Sequence, residues 1–270
     1  MAEYSRFVDS APHRWHVQEA GEGPVTLLLH GAGGATQSWR GLFPILKQTR
    51  RVIAIDLPGQ GFTRLGNRQR CGLANMATDI EALCQQENWT PNLIVGHSAG
   101  AALALQMTLN APSTQVVGIN AALGKFEGVA GWLFPALAKV LALTPFIPDL
   151  FASTASSPTA IRRLIEGTGS DIDRAGLDLY RRLITNRDHV DATLTMMAQW
   201  DLTPLLRTLP KHRGKVTLIA GANDKTVPPQ VSKQASEKLA GSSFHLLDGV
   251  GHLAHEEDPS RVAQIIEDES

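Results

Sequence analysis

The sequence predicts an α/β protein whose mostly parallel sheet carries helices on both faces and an inserted helical cap. Two observations support this prediction: short, β-rich apolar runs alternate with helical patterns, and one long stretch lacks any strand signal. The chain has 270 residues, of which 43% are hydrophobic and 19% are charged. These values are typical of a globular protein whose core is large enough to fold without disulfides.

Six apolar runs are typical of strands that are buried on both faces, as the strands of a parallel sheet are. They are Val25 to Leu29, Val52 to Ile55, Asn92 to Val95, Gln115 to Asn120, Val216 to Ala220 and Phe244 to Leu247. Four helical patterns are long enough to serve as crossover connections. They cover about Leu73 to Gln86, Ala99 to Leu109, Pro229 to Leu239 and Pro259 to Ile266.

The stretch from about 124 to 205 breaks the alternation, because it has no strand signal and several proline and glycine breaks. We therefore predict a helical cap at 124–205, inserted into a core formed by 1–123 and 206–270. Its large side chains either pack on the core or line a substrate pocket, and the sequence leaves both open. The cap residues that are candidates for the pocket wall are Trp132, Phe134, Phe146, Met197 and Trp200.

Composition and charge exclude several classes of function. The formal net charge is −1, with 25 Lys and Arg against 26 Asp and Glu, and no long single-sign run indicates a nucleic-acid partner. Cys71 and Cys84 lack C-x-x-C spacing, so a cysteine metal site or a disulfide framework is not expected. Phosphate-loop and dinucleotide fingerprints are missing, so we expect no cofactor and no metal.

The chain start and the most apolar window bear on location. The first residues contain an acid and no apolar h-region, which argues against an export signal. Three prolines interrupt the window 132–150, so a transmembrane helix is not expected there. We predict a cytoplasmic location.

The most informative motif is Gly96-His97-Ser98-Ala99-Gly100, a G-x-S-x-G pentapeptide that follows a predicted strand and opens a predicted helix. In that position, flanking glycines allow a strained turn that exposes a serine hydroxyl. Serine needs a base to take its proton, a carboxylate to orient the base, and donors for the oxyanion. The motif therefore predicts that Ser98 is a nucleophile and that the rest of the chain supplies these groups.

Loops that follow other predicted strands supply all three. Asp224 follows the strand Val216 to Ala220, and His252 follows the last strand, so we predict Asp224 as the acid and His252 as the base. The order serine, acid, histidine is that of α/β-hydrolase triads. The backbone N–H groups of Ala32 and Ala99 are the predicted oxyanion donors, with that of Gly33 as the fallback.

Other residues near the predicted triad and oxyanion donors are candidates for the site without a catalytic role. His30, Gly31, Gly33 and His97 are candidates for the pocket wall, although we expect His30 to shape its loop and His97 to pack beside the serine. His255 stands three residues after His252, but no third ligand accompanies the pair, which favours a structural role.

The Ser98 motif and the loops that carry Ala32, Asp224 and His252 resemble those of the α/β-hydrolase superfamily. Together they span nearly the whole chain. The strings Ser38-Trp39-Arg40, Asp56-Leu57-Pro58-Gly59-Gln60-Gly61-Phe62-Thr63-Arg64 and Arg70-Cys71-Gly72-Leu73-Ala74-Asn75-Met76 resemble, more narrowly, the magnesium chelatase accessory proteins of bacteriochlorophyll biosynthesis. The first resemblance implies that the Asp56 loop is a structural turn. The second implies a role near the insertion of magnesium into protoporphyrin IX, with chelatase subunits as partners and a peripheral association with photosynthetic membranes as an open alternative.

Two functions from different classes follow. The first is a serine hydrolase that cleaves an ester, thioester or related acyl bond of a hydrophobic substrate. The second is a non-catalytic accessory in which the same scaffold binds a porphyrin or assists chelatase assembly.

Overall fold

The computed structural model of the protein describes residues 2–124 and 157–270. Eight strands in these ranges form one sheet in the order β1-β2-β4-β3-β5-β6-β7-β8. The strands are β1 (Ser5–Ser10), β2 (His13–Ala20), β3 (Val25–Leu29), β4 (Arg51–Ile55), β5 (Leu93–His97), β6 (Gln115–Ile119), β7 (Val216–Gly221) and β8 (Ser243–Leu247).

Helices cover both faces of this sheet. Those of the described residues are α1 (Phe43–Leu46), α2 (Leu73–Gln86), α3 (Ala99–Met107), α4 (Pro158–Gly167), α5 (Arg174–Ile184), α6 (Arg187–Gln199), α7 (Thr203–Thr208), α8 (Pro229–Ser236), α9 (Ala254–Glu257) and α10 (Pro259–Asp268). In α2 the buried residues recur at helical spacing and form one apolar face toward the core; they are Leu73, Met76, Ala77, Ile80, Leu83 and Cys84, together with Asp79.

Strands β3 to β8 are paired in parallel. Their carboxyl ends therefore lie at the same edge of the sheet, where ligands and catalytic groups gather in open α/β folds. One apolar layer, containing Leu27 and Ile94, packs under α2 and α3, and the other, containing Leu28 and Val95, packs under α1 and α10. Burial on both faces explains why these strands are continuous apolar runs.

The predicted fold class is confirmed, and the six predicted strands and four predicted helices are present with ends that differ by a few residues. The hairpin of β1 and β2, which joins β4 in antiparallel fashion, was not predicted. Its strands mix polar and apolar residues, because Val8, Trp15 and Val17 join the apolar core, whereas the other face of β2 buries the polar side chains of His16 and Gln18. The short helix α1 was also not predicted, because four residues are too few to show helical periodicity.

The described part of the predicted cap contains α4, α5 and α6. Three of the predicted pocket residues, Trp132, Phe134 and Phe146, lie outside the described residues. Side chains of α4 and α5 form an apolar cluster with Leu253, which belongs to the loop after β8. The boundaries 124 and 205 stay a prediction. Within the described ranges, no helix combines the length and the apolar character needed to cross a bilayer.

Trp15 provides a test of the unpredicted hairpin, because its side chain is fully buried and its indole N–H donates to the Ser10 carbonyl. We expect Trp15→Ala to lower the free energy of unfolding by about 3–5 kcal/mol. Phe7→Ala in the same hairpin removes a ring that is 50% exposed and should cost less than about 1 kcal/mol. Urea denaturation of both variants measures the difference, and equal losses would contradict this account of the hairpin.

Candidate active site

Ser98 lies in a strained turn between β5 and α3. Its φ of 52° and ψ of −113° place a non-glycine residue in the left-handed half of backbone space, a conformation that persists only where the surrounding structure enforces it. A Cβ atom at Gly96 would lie 2.3 Å from the Gly100 carbonyl oxygen, and one at Gly100 would lie 2.0 Å from that of Leu29. Both glycines are therefore required for α3 to approach the sheet this closely.

The loop after β3 passes directly beside Ser98. A Cβ atom at Gly31 would lie 3.0 Å from the Ser98 Cβ atom and 2.8 Å from His97 Nδ1. Only glycine allows this approach without displacing the serine or the His97 ring. The predicted pocket residues Gly31 and His97 are thus brought against the predicted nucleophile.

Asp224 lies in the loop after β7, and its carboxylate is buried among hydrogen-bond donors. Its Oδ1 atom accepts from the amides of Thr226 and Val227, each at 2.8 Å. Its Oδ2 atom accepts from Asn120 Nδ2 at 2.7 Å and pairs with His252 Nδ1 at 2.8 Å. These bonds orient the carboxylate toward the imidazole.

The bond to Asp224 determines which nitrogen of His252 is available. Since the carboxylate accepts, Nδ1 of His252 donates, and a neutral ring then carries its free lone pair on Nε2. The backbone carbonyl of His252 accepts from His97 Nε2 at 2.8 Å, and the two ring centroids are 4.8 Å apart. His97, the residue before Ser98, therefore ties the histidine loop to the serine turn.

The structure brings Asp224 and His252 into direct contact. Among the hydrogen bonds of the described residues, however, there is none between the Ser98 hydroxyl and the His252 ring. Such bonds are often long before a substrate is bound.

The amides predicted as oxyanion donors, those of Ala32 and Ala99, have no acceptor within the described residues. The Gly31 carbonyl accepts from the Gly34 amide at 3.0 Å and from His30 Nδ1 at 2.8 Å. Since the Gly31–Ala32 peptide is planar and trans, the Ala32 N–H points away from these two donors. The fallback donor is not available, because the Gly33 amide donates to Gln60 Oε1 at 2.8 Å.

His30 and Asp56 are buried parts of the loop scaffold. His30 donates from Nδ1 to Gly31, and its Nε2 atom accepts from the Leu57 amide at 2.9 Å. Burial lowers the pKa of His30, which keeps Nε2 free to accept. Asp56 accepts from the amides of Thr36 and Phe62 and pairs with His16. Burial opposes its ionisation, yet these hydrogen bonds leave the pKa of Asp56 below its ordinary value.

His255 lies behind the site rather than in it. Its ring is fully buried, with centroids 4.6 Å from the Trp39 ring and 4.4 Å from the His97 ring. Burial, followed by the charge of His252, lowers the pKa of His255 to about 3. Burial likewise holds the pKa of His97 well below its ordinary value. Both rings are therefore neutral, and within the described ranges no three His, Cys, Asp or Glu side chains are grouped as metal ligands.

Of the predicted pocket residues in the cap, two are described. Trp200 packs against the core cluster that contains α2 and α3, which makes it a core contact. Met197 is half-buried in α6.

Sequence reasoning missed Asn120, whose side chain is fully buried and binds Asp224. A signal was present, because Asn120 is the single polar residue at the carboxyl end of an apolar run. Sequence reasoning also did not single out Glu256 and Glu257, which both contact the inserted segment.

Glu257 joins the histidine loop to the inserted segment. Its Oε2 atom accepts from the Gly251 amide at 2.9 Å, and its Oε1 atom accepts from the Asp171 amide at 3.0 Å. Next to it, the Leu253 amide donates to Ser170 Oγ at 2.8 Å. Ser170 therefore contacts the loop that carries His252 directly, whereas Asp171 is connected to it through Glu257.

Glu256 makes a second, buried connection. The Tyr180 hydroxyl of α5 donates to Glu256 Oε1 at 2.6 Å, and Arg40 binds Asp173 at the start of α5. The Arg40 Nε atom lies 3.9 Å from Glu256 Oε2, beyond hydrogen-bond reach. Burial raises the pKa of Glu256 to about 8, against the opposing effects of Tyr180 and Arg40.

Comparison with known proteins defines the class. The chain belongs to the α/β hydrolase fold family, whose model matches residues 24–259. The esterase of Thermogutta terrifontis has a TM-score of 0.75 at 20% identity, over 98% of this chain and 97% of that one. An esterase from Exiguobacterium antarcticum has a TM-score of 0.78 at 18% identity, over 97% of each chain. At these identities the likeness concerns the fold.

Proteins that are similar in sequence give a more specific comparison. A magnesium-chelatase 30 kDa subunit of Rhodobacter capsulatus is 48% identical over 247 residues, which are 91% of this chain and 87% of that protein. A pimeloyl-acyl-carrier-protein methyl ester esterase of Methylococcus capsulatus is 26% identical, over 93% of this chain and 96% of that one. The expected resemblance to the hydrolase superfamily and to the chelatase-associated proteins is confirmed.

Glu256 generates a prediction about pH. Because its folded pKa of about 8 lies above the ordinary carboxyl value, its contribution to stability is complete at low pH and is lost as pH rises toward 8. Wild-type unfolding free energy should therefore fall between pH 5 and 8, by up to about 1.4 kcal/mol per pH unit from this group. Glu256→Gln should flatten that slope.

Denaturation at several pH values measures this difference. The exposed Glu237 is the control, because Glu237→Gln should keep the wild-type slope. A Glu256→Gln slope equal to that of wild type would show that the buried carboxyl is ionised in the folded state.

Proposed function

We propose that the protein is a serine hydrolase that cleaves an ester, thioester or related acyl bond, and that it acts as an accessory to magnesium chelatase in bacteriochlorophyll biosynthesis. The observation that carries the catalytic part is the 2.8 Å Asp224–His252 hydrogen bond at the sheet edge where the strained Ser98 turn emerges. A buried carboxylate that orients an imidazole toward such a turn is the arrangement that activates a serine.

In this mechanism, His252 Nε2 takes the proton of the Ser98 hydroxyl as Oγ attacks the acyl carbonyl carbon. The tetrahedral oxyanion accepts hydrogen bonds from the amides of Ala32 and Ala99. His252 then donates the proton to the leaving group, and an acyl-serine remains. Water, deprotonated by the same nitrogen, attacks the acyl carbon. The bond between that carbon and Oγ then breaks, His252 returns the proton to Oγ, and the acid product leaves. Asp224 holds the imidazole in the tautomer that the reaction needs.

The accessory role rests on a different observation, the 48% identity to a protein named as a magnesium-chelatase subunit. A hydrophobic substrate, such as a porphyrin derivative with an ester side chain, would fit both parts of the proposal. Chelatase subunits are then the proposed partners. The proposal includes a cytoplasmic location. It also allows a peripheral association with photosynthetic membranes.

A second candidate is a non-catalytic porphyrin-binding or assembly factor on the same scaffold. The same relative favours it, since that protein is named as a subunit and not as a hydrolase. In this case the Ser98 group would be idle, and the scaffold would serve as a binding site.

Reactivity of Ser98 tests the first candidate. We expect a fluorophosphonate probe to label the wild-type protein and to leave Ser98→Ala unlabelled. With chromogenic acyl esters, Ser98→Ala should lose at least about 10³-fold in kcat, and Asp224→Asn about 10⁴-fold because the imidazole loses its orienting partner. Ser232→Ala is the matched control, since Ser232 is buried in α8, and it should keep full labelling. A wild-type protein that resists the probe would contradict hydrolysis.

Porphyrin binding tests the second candidate. Titration with protoporphyrin, followed by its absorption spectrum, should show saturable binding that Ser98→Ala retains if the protein is a binding factor. Tight binding together with an unreactive Ser98 would favour the second candidate over the first. Absence of binding in both proteins would leave hydrolysis of another hydrophobic ester as the function.

A further inference from the structure

One face of helix α6 lies directly on two glycine-rich loops of the core. Ala192, Thr193 and Met196 follow His189 by three, four and seven residues, so they share this face. A Cβ atom at Gly59 would lie 2.4 Å from the Ala192 Cβ atom. Helix α6 belongs to the predicted cap, yet it contacts the loops that follow β3 and β4.

His189 bonds both loops at once. Its Nδ1 atom accepts from the Gly61 amide at 3.0 Å, and its Nε2 atom lies 3.1 Å from the Gly33 carbonyl oxygen. Since Nδ1 accepts, the ring proton is on Nε2, which donates to Gly33. The side chain is 3% exposed, and burial lowers the pKa of His189 to about 4. The ring therefore stays neutral and keeps both bonds at neutral pH.

Gln60 fixes the other polar group of Gly33. Its Oε1 atom accepts from the Gly33 amide at 2.8 Å, and its Nε2 atom contacts Met196 Sδ at 3.2 Å. Gln60 is fully buried, so Met196 of α6 helps to hold its amide group in this orientation.

Together these bonds fix three successive peptide units of the loop after β3. The Gly31 carbonyl is held by His30 and by the Gly34 amide, while Gly33 is held on its amide by Gln60 and on its carbonyl by His189. Glycines would otherwise leave this loop conformationally free, at a large entropic cost. The Ala32 amide lies between the fixed groups and is the one that no described residue occupies.

We infer that His189 of the inserted helix is a positioning residue, which acts through Gly33 to hold the Ala32 amide in place for the oxyanion. This inference rests on the proposed hydrolase function. It assigns helix α6 a part in building the catalytic site, beyond covering a substrate.

Kinetics of His189 variants provide the test. His189→Leu removes both hydrogen bonds, and kcat for a chromogenic ester should fall by about ten- to a hundredfold, because the loop donor is displaced from the transition state. KM should change less than about threefold if the ground state does not use this donor. His189→Gln retains an acceptor and a donor and should recover most of the rate.

His212 is the matched control, because it is also a buried histidine and pairs with Thr108. His212 precedes β7 in the chain, whereas Asp224 follows it, so the two residues lie at opposite ends of this strand. His212→Leu should keep the wild-type kcat at temperatures where both variants are folded. A His189→Leu variant that raises KM and keeps kcat would overturn the inference, since α6 would then serve substrate binding alone. Failure of His189→Gln to recover any rate would also count against it.

Hydrogen exchange separates this inference from the proposed function. If wild-type Ser98 is unreactive, the proposed hydrolase function fails. The effect of the His189 hydrogen bonds on the loops after β3 and β4 can still be measured in the folded protein. His189→Leu should then accelerate amide exchange in peptides covering 31–34 and 59–62, relative to wild type and His212→Leu. Unchanged exchange in those peptides would overturn the inference, whatever the activity of the protein.

Discussion

The close approach of helix α3 to strands β3 and β5 is the constraint on which the site depends. Because no Cβ atom fits at Gly96 or Gly100, the chain reverses abruptly between them and holds Ser98 at positive φ. A wider turn would retract the serine from the sheet edge. The same approach brings Gly31 against Ser98, so the positions of the proposed nucleophile and oxyanion loop follow from a single packing requirement.

Neutral buried histidines surround this centre. Burial lowers the pKa values of His30, His97, His189 and His255, so these four rings act as hydrogen-bonding or packing groups at neutral pH. His252 differs from them because its ring is bonded to a carboxylate.

The inserted helices are integrated with the core at three places around the site. Tyr180 binds Glu256, Ser170 binds the Leu253 amide of the histidine loop, and His189 binds the loops after β3 and β4. The loop that carries His252 and the loop after β3 both depend on these contacts. A rearrangement of α5 or α6 would therefore displace the proposed reacting atoms.

The sequence alone predicts the parallel core, because strands buried on both faces are continuous apolar runs. It also predicts the turn at Ser98, because glycines on both sides of a serine between a strand and a helix permit a tight turn. It places Asp224 and His252 in loops that follow two neighbouring strands, whose carboxyl ends lie at the same edge of the sheet. The contacts of Asn120, Gln60 and His189, by contrast, are visible only in the folded structure, since their hydrogen bonds join residues far apart in the chain. Such pairings leave no periodicity in the sequence, because a buried polar side chain is stabilised by whichever partner the fold brings to it.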